Sequence, residues 1–272
     1  MFEYVFMIRA VVVGIMVSVC ASLLGVNMVL KRYSMIGDGL SHVGFAALAA
    51  AAAAGVAPLK FAIPICIIAA FFMLRLSSSG KMKGDQTVAL VCSGSLAIGV
   101  MIISMSTGMN TDVNNYMFGS ILALSREDTI LSIILSVIVF VVFVIFYNRL
   151  FAVTFDENFA KATGTNAGAY NAILAVLTAV TVVIGMRMMG ALLISSLIIF
   201  PAISSMRVCR HYRAVIISSV IISIVCFMAG ITLSFYKSTP AGASVVCFNI
   251  AIFGVYAIIG TVRNNFTGKI RK

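Results

Sequence analysis

A carboxylate and an imidazole lie four residues apart in an apolar stretch, Gly37-Asp38-Gly39-Leu40-Ser41-His42. On an α-helix this spacing places the side chains of Asp38 and His42 on one face, one turn apart. An ionisable group inside a membrane helix costs about 2.5–3.5 kcal/mol, so it usually marks a function. Carboxylate and imidazole are ligands that suit Zn²⁺, Mn²⁺ and Fe²⁺. We therefore predict that Asp38 and His42 bind a divalent metal ion on a path through the membrane.

The same two residues also have a purely structural interpretation. Asp38 would cap the N-terminus of a helix that begins after Gly37, and His42 would bond to a backbone carbonyl. Two ligands are only half of a metal site. A transport site must release its ion, however, so a sparse and partly hydrated set of ligands is acceptable.

Sulfur-containing residues provide a second possible metal chemistry, because thioethers can carry Cu(I). The methionines at helical spacing or in a cluster are Met101, Met105 and Met109, then Met186, Met188 and Met189. We interpret them as core packing, since methionine fills gaps. The cysteines are isolated, without a CxxC pair, and lie in or beside apolar runs, which indicates buried free thiols: Cys20, Cys66, Cys92, Cys209, Cys226 and Cys247.

The composition is that of a membrane protein, because 62% of the 272 residues are hydrophobic and only 10% are charged. In a soluble protein the net charge of +11 would raise the possibility of nucleic-acid binding. Here the cations lie between apolar runs, so we interpret them as topology signals and expect no nucleic-acid partner. We predict an all-α, polytopic bundle of eight or nine transmembrane helices in a single domain, 1–272. The predicted segments lie near 4–30, 34–54, 58–76, 87–107, 125–148, 166–186, 188–207, 214–236 and 240–262.

The distribution of Lys and Arg predicts the orientation. With the C-terminus in the cytoplasm and the N-terminus outside, only five of the 19 cations fall outside: Arg9, Lys60, Arg126, Arg187 and Lys237. The short connection between Met186 and Gly190 is the weak point of this topology. If the two flanking segments were one broken helix, the predicted orientation of every preceding segment would be reversed.

Residues 154–164 read as a short amphipathic helix on the cytoplasmic side. Thr154 and Glu157 form a capping-box pattern, and Gly164 suits a helix C-terminus. Phe155, Phe159 and Ala162 would share one face. This helix would either lie on lipid headgroups or dock into a cytoplasmic partner.

Several blocks taken together resemble the membrane permease subunit of bacterial zinc/manganese ABC importers, over roughly residues 10–262. Each block alone is weak support for this family, but the blocks together, in this order, are specific to it. They are Gly37-Asp38-x-x-x-His42, Tyr116-Met117-Phe118-Gly119-Ser120, Gly190-Ala191-Leu192-Leu193 with Pro201-Ala202, Thr239-Pro240-Ala241-Gly242, and Asp156-Glu157 with Phe159-Ala160 and Gly164.

This resemblance implies a type II ABC importer permease in the bacterial plasma membrane. It implies a dimer of permeases, two cytoplasmic ATPase subunits that bind the ATP, and an extracytoplasmic metal-binding protein, which would dock near Asp112, Glu127 and Asp128. It also implies that Asp38 and His42 are metal ligands. The residues of the segment that would contact the ATPase are Phe155, Asp156, Glu157, Phe159 and Gly164. No permanently bound cofactor is implied.

Three other functions remain as alternatives. A siderophore/cobalamin-type permease usually has a longer chain and would not need Asp38 and His42. A secondary carrier would be driven by ions and would need no ATPase. An intramembrane metallopeptidase would need more than one Asp and one His, and the HExxH motif is absent. One departure from the family also stands out: proline often follows the family's His, whereas Val43-Gly44-Phe45-Ala46 follows His42, so we expect a straighter helix.

Overall fold

The computed structural model describes residues 5–78, 84–106 and 125–270. Three features named above lie outside this part: Met109, Asp112 and the Tyr116–Ser120 block. The described residues form eleven helices. These are α1 (Val5–Leu30), α2 (Ser34–Ala53), α3 (Pro58–Ser78), α4 (Gly84–Met105), α5 (Arg126–Ile145), α6 (Tyr147–Phe155), α7 (Glu157–Ala162), α8 (Ala167–Met189), α9 (Ala191–Val208), α10 (Tyr212–Lys237) and α11 (Ala241–Ile270).

Nine of these helices are long and apolar enough to cross a membrane, which confirms the all-α polytopic prediction for the described residues. The short helices α6 and α7 are the exceptions. The predicted segment 125–148 is two helices, because α5 ends at Ile145 and α6 starts at Tyr147. The backbone at Phe146, with φ −93° and ψ 10°, separates them.

The helices differ in how far they are enclosed by their neighbours. In α8, 78% of an 18-residue apolar stretch is buried inside the protein, whereas in α4 and α11 only 17% of such a stretch is buried. The central helices are therefore α1, α2 and α8, and α4 and α11 present apolar side chains outward. Met186, Met188 and Met189 are buried, as predicted. The core interpretation is wrong for Met101 and Met105, which are 64% and 76% exposed on α4.

Small residues bring neighbouring helices close to α2, as its alanine-rich sequence predicts. A Cβ atom added to Gly44 would lie 2.7 Å from Cε of Met186 on α8. One added to Gly39 would lie 3.2 Å from Sδ of Met73 on α3. α2 is thus packed inside the bundle, with helices on several sides.

The chain folds back at Gly190, which resolves the weak point in the predicted topology. Gly190 has φ +87°, a left-handed conformation that glycine adopts without a steric penalty. A Cβ atom on Gly185 of α8 would lie 2.4 Å from Cδ1 of Ile194 on α9. In one continuous helix these residues would be about 13 Å apart along the axis. α8 and α9 are therefore two packed helices.

Candidate metal site

Asp38 and His42 lie on one face of α2, as their spacing predicts. His42 Nε2 is 3.9 Å from Asp38 Oδ2, and the side chains are 25% and 38% exposed, respectively. α2 begins at Ser34 after Tyr33, and no side chain caps it. Asp38 therefore lies in the second turn, and the capping interpretation of this residue is wrong. Among the described residues, the His42 imidazole donates no hydrogen bond to a backbone carbonyl, so neither side chain fits the purely structural interpretation.

Ser195 on α9 fixes one oxygen of the carboxylate. Its Oγ donates a hydrogen bond of 3.0 Å to Asp38 Oδ1 and also lies 3.2 Å from the carbonyl oxygen of Ala191. This contact leaves Oδ2 as the oxygen nearest to His42. Hydrogen bonds of this kind orient metal-binding carboxylates and are part of a functional metal site.

Cys92 on α4 joins the pair. One ligand atom each from Asp38, His42 and Cys92 lie within 4.8 Å of one another, and all three residues are half-buried. Gly39 allows this approach, because a Cβ atom there would stand 3.2 Å from Val88 Cγ1 and 3.7 Å from Cys92 Sγ. The interpretation of Cys92 as an isolated buried thiol is therefore wrong, and no local sequence pattern connects it with α2.

The geometry suits a divalent ion after a small closure. Metal–ligand distances of about 2.0–2.3 Å place two ligand atoms on a tetrahedral ion roughly 3.3–3.8 Å apart. The three ligand atoms here are within 4.8 Å, so shifts of about 1 Å would bring them onto one ion. The partial exposure of Asp38 and His42 leaves a side open for water or for a further ligand. Such an incomplete shell suits an ion that must leave again.

The segment predicted to contact the ATPase is built differently from its predicted capping box. α6 continues to Phe155, and α7 starts after Asp156, whose carboxylate accepts a 2.9 Å hydrogen bond from the Phe159 amide. The hydroxyl of Thr154 instead donates a 3.0 Å hydrogen bond to Asn27 Oδ1 on α1. Thr154 is therefore not the helix cap, because a tertiary contact uses its side chain.

The predicted end of this segment at Gly164 is confirmed. Gly164 has φ +80°, and its amide bonds to the carbonyl of Lys161. The amide of Thr165 bonds to the carbonyl of Ala160. This pair of hydrogen bonds is the Schellman motif, which requires a left-handed residue and so favours glycine.

Two phenylalanines of this segment are exposed at the same end of the bundle. Phe155 is 59% exposed and Phe159 is 64% exposed. The rings of Phe151 and Tyr212 support Phe155, with centroid distances of 4.7 and 5.9 Å. Aromatic side chains are enriched at protein–protein interfaces. The exposed rings of Phe155 and Phe159 therefore fit a protein-binding surface.

Glu157 ties α7 to the helices beside it. Its carboxylate lies 2.8 Å from Lys161 Nζ and 3.8 Å from Lys31 Nζ, and it accepts a hydrogen bond from Asn171. Lys31 also donates to the Asn171 side chain. The hydrogen bond from Lys161 lowers the pKa of Glu157, and the Asn171 hydrogen bond and Lys31 charge act in the same direction. Burial lowers the pKa of Lys31, and the charge of Glu157 opposes that shift.

Charged residues at the opposite end of the bundle form a separate group. Arg187 at the end of α8 lies 3.7 Å from Asp128 at the start of α5. Lys60 lines a cavity together with Glu127 and Asp128. The two ends therefore separate Lys31 and Lys161 from Lys60 and Arg187, and the predicted orientation of these ends stays a prediction.

Comparison with known proteins gives consistent matches over almost the whole chain. The model of a family described as the ABC 3 transport family matches residues 3–260. The high-affinity zinc uptake system membrane protein ZnuB of Haemophilus influenzae is 30% identical, covering 93% of this chain and 96% of that protein. The manganese import system permease protein ScaB of Streptococcus gordonii is 25% identical, covering 99% and 96%.

A solved structure has the same fold. PsaBC from Streptococcus pneumoniae in complex with Fab superposes with a TM-score of 0.84 and 25% identity. The superposition covers 93% of this chain and 91% of that one.

Proposed function

The chain belongs to the ABC 3 transport family, and we propose from this membership and from the geometry around Asp38 that it carries a zinc or manganese ion inward. It is the permease subunit of an ABC importer, and ATP hydrolysis belongs to a separate subunit. The ion-driven carrier and the metallopeptidase are therefore set aside. The relatives named for zinc uptake and manganese import support a divalent transition metal as the cargo.

A single observation carries the choice of site. Asp38 and His42 face each other within α2, which is packed inside the bundle, and Ser195 orients the carboxylate. Keeping ionisable groups at this place is costly unless they bind something, since they lie on an otherwise apolar membrane helix. Asp38 and His42 would ligate the passing ion and release it toward the cytoplasm during alternating access.

The partners follow from the family and from the two ends of the bundle. The aromatic surface of Phe155 and Phe159 would contact the cytoplasmic ATPase, with Asp156, Glu157 and Gly164 shaping the helix that presents it. An extracytoplasmic metal-binding protein would dock at the other end, near Glu127 and Asp128. A second copy of this chain would complete the transport path as a homodimer.

The proposal includes an orientation in the plasma membrane. The end with Lys31, Arg149 and Lys161 would face the cytoplasm together with the C-terminus, in accord with the positive-inside rule. The connected apolar core runs from α1 to α11, which supports one transmembrane domain for residues 1–272.

Metal uptake tests this proposal. The chain would be expressed with its ATPase and binding protein in bacteria that lack their own zinc and manganese importers. Cell zinc, manganese and iron would be measured by mass spectrometry under metal starvation. We expect uptake of zinc or manganese by the wild type, and loss of uptake with Asp38→Ala and His42→Ala at equal membrane levels. His211→Ala, at the only other histidine, is the control and should transport normally.

Each outcome has a distinct meaning. If the wild type restores none of the three metals, a chelate permease becomes the better assignment. If both site variants take up metal at the original rate, the importer assignment stands, but Asp38 and His42 are not ligands on the ion path.

A further inference from the structure

We propose that Cys92 is a third ligand of the transported ion and that its sulfur makes this site favour zinc over manganese. The inference rests on the proposed function, because it assumes that Asp38 and His42 meet the ion. It adds the residue that would decide which ion is preferred.

The position of Cys92 differs from that of two thiols buried in the core, Cys20 and Cys66. Cys20 and Cys66 are buried, and their thiols point at the backbone carbonyls of Ser136 and Leu40 at 3.4 and 3.9 Å. Cys92 is only half-buried, and its sulfur lies within 4.8 Å of a carboxylate oxygen and an imidazole nitrogen. A thiol kept only for packing has no need of two other ligand groups at that distance.

The packing of α2 against α4 brings the sulfur into place. Gly39 lies between Asp38 and His42 on the chain, and it has no side chain to hold α4 away. Val88, one turn before Cys92, is 5% exposed and packs at the same glycine. The sulfur therefore comes from a helix that is fixed against the site.

Ligand chemistry gives the expected selectivity. Zinc readily accepts a thiolate together with imidazole and carboxylate, and it adopts the tetrahedral geometry that a small set of ligands provides. Manganese prefers oxygen ligands and a larger coordination number, so a thiolate adds little to its binding. The metal binds the thiolate, so the S–H proton would leave to water as the metal–sulfur bond forms.

The binding test uses the complete permease–ATPase complex in detergent, with Co²⁺ as a spectroscopic substitute for Zn²⁺. A thiolate bound to Co²⁺ gives a strong sulfur-to-metal charge-transfer band in the near ultraviolet. We expect this band in the wild type and in Cys247→Ser, whose cysteine is exposed on α11. The band should disappear in Cys92→Ser and weaken in Asp38→Ala. A band that persists unchanged in Cys92→Ser overturns the proposal.

Uptake gives an independent readout. Cells carrying wild type, Cys92→Ser or Cys247→Ser would be supplied with equal zinc and manganese. We expect Cys92→Ser to lower the zinc-to-manganese uptake ratio roughly tenfold or more, since a metal ligand is lost. Cys247→Ser should keep the wild-type ratio. If Cys92→Ser keeps the ratio while Asp38→Ala abolishes uptake, the proposed function stands and the role of Cys92 is refuted. If Asp38→Ala has no effect either, the site itself is wrong.

Discussion

Ser195 on α9 donates a 3.0 Å hydrogen bond to the carboxylate of Asp38 on α2, across 157 residues of sequence. This contact joins the helix that carries the proposed ligands to the helix that follows the reversal at Gly190. A movement of α9 relative to α2 would therefore change the orientation of the carboxylate. In an importer that works by alternating access, such a connection would adjust ion affinity as the helices move.

Removal of the Ser195 hydroxyl should weaken metal uptake without abolishing it. We expect Ser195→Ala to raise the metal concentration for half-maximal uptake roughly tenfold, because the carboxylate loses its orienting partner. The measurement is initial uptake rate against metal concentration. Ser196→Ala is the matched control, since within the part of the chain that the structure describes the Ser196 hydroxyl bonds only to the Leu193 carbonyl. Equal effects of the two substitutions would contradict the positioning role of Ser195.

Loss of the exposed ring at Phe159 should uncouple the permease from its ATPase. We expect Phe159→Ala to weaken binding of the ATPase subunit by about tenfold or more, because exposed aromatic side chains often dominate interface energies. Copurification of the ATPase and ATP-dependent uptake would both fall. Phe140→Ala, at a 45% exposed position within the span α5, is the control. Normal copurification with Phe159→Ala would place the docking surface elsewhere.

Glu157 should stabilise the α7 region in a pH-dependent way. Its pKa is lowered from the ordinary value of 4.5, so the folded protein favours the ionised carboxylate. The stabilisation is therefore full at neutral pH and is lost as the pH falls below about 4.5. We expect Glu157→Gln to cost about 0.2–1 kcal/mol at pH 7, a small value because the side chain is partly exposed.

Thermal unfolding of the purified complex at several pH values measures this difference. The gap in Tm between wild type and Glu157→Gln should narrow toward acid pH. A gap that stays constant from pH 7 to pH 4 would show that ionisation of Glu157 is not its source. Lys237→Gln, at the other end of the bundle, is a control for a general change of charge.

Asn27 should matter more to stability than a comparable buried asparagine. Its Oδ1 accepts hydrogen bonds from Thr154 and Tyr212, at 3.0 and 2.8 Å, which joins α1 to α6 and α10. Asn27→Ala leaves both donors without this acceptor, and we expect a loss of about 1–3 kcal/mol.

Asn249 is the matched control for this substitution. The side-chain amides of Asn27 and Asn249 each donate to the carbonyl four residues earlier. Within the described residues, however, Oδ1 of Asn249 accepts no hydrogen bond. Asn249→Ala should therefore cost less than Asn27→Ala in thermal unfolding of the detergent-solubilised protein. An equal or larger loss for Asn249→Ala would refute the joining role of Asn27.

The features that depend on residues close together in the sequence were predictable. Apolar length indicated the membrane helices, and the four-residue spacing placed Asp38 and His42 together because an α-helix repeats every 3.6 residues. Gly164 indicated a helix end because the left-handed conformation favours glycine. The Thr154–Glu157 capping box failed because Asn27, far away in sequence, accepts a hydrogen bond from the Thr154 hydroxyl.

The sequence by itself therefore determined the class of protein, its membrane helices and the two residues that begin the site. Only the tertiary structure brought Ser195 and Cys92 to Asp38, because helix contacts across the bundle depend on how side chains pack. Gly39 shows the reason: its missing side chain permits the approach of α4, but the sequence does not say which helix fills that space. Local periodicity fixes a face of a helix, and packing decides what that face meets.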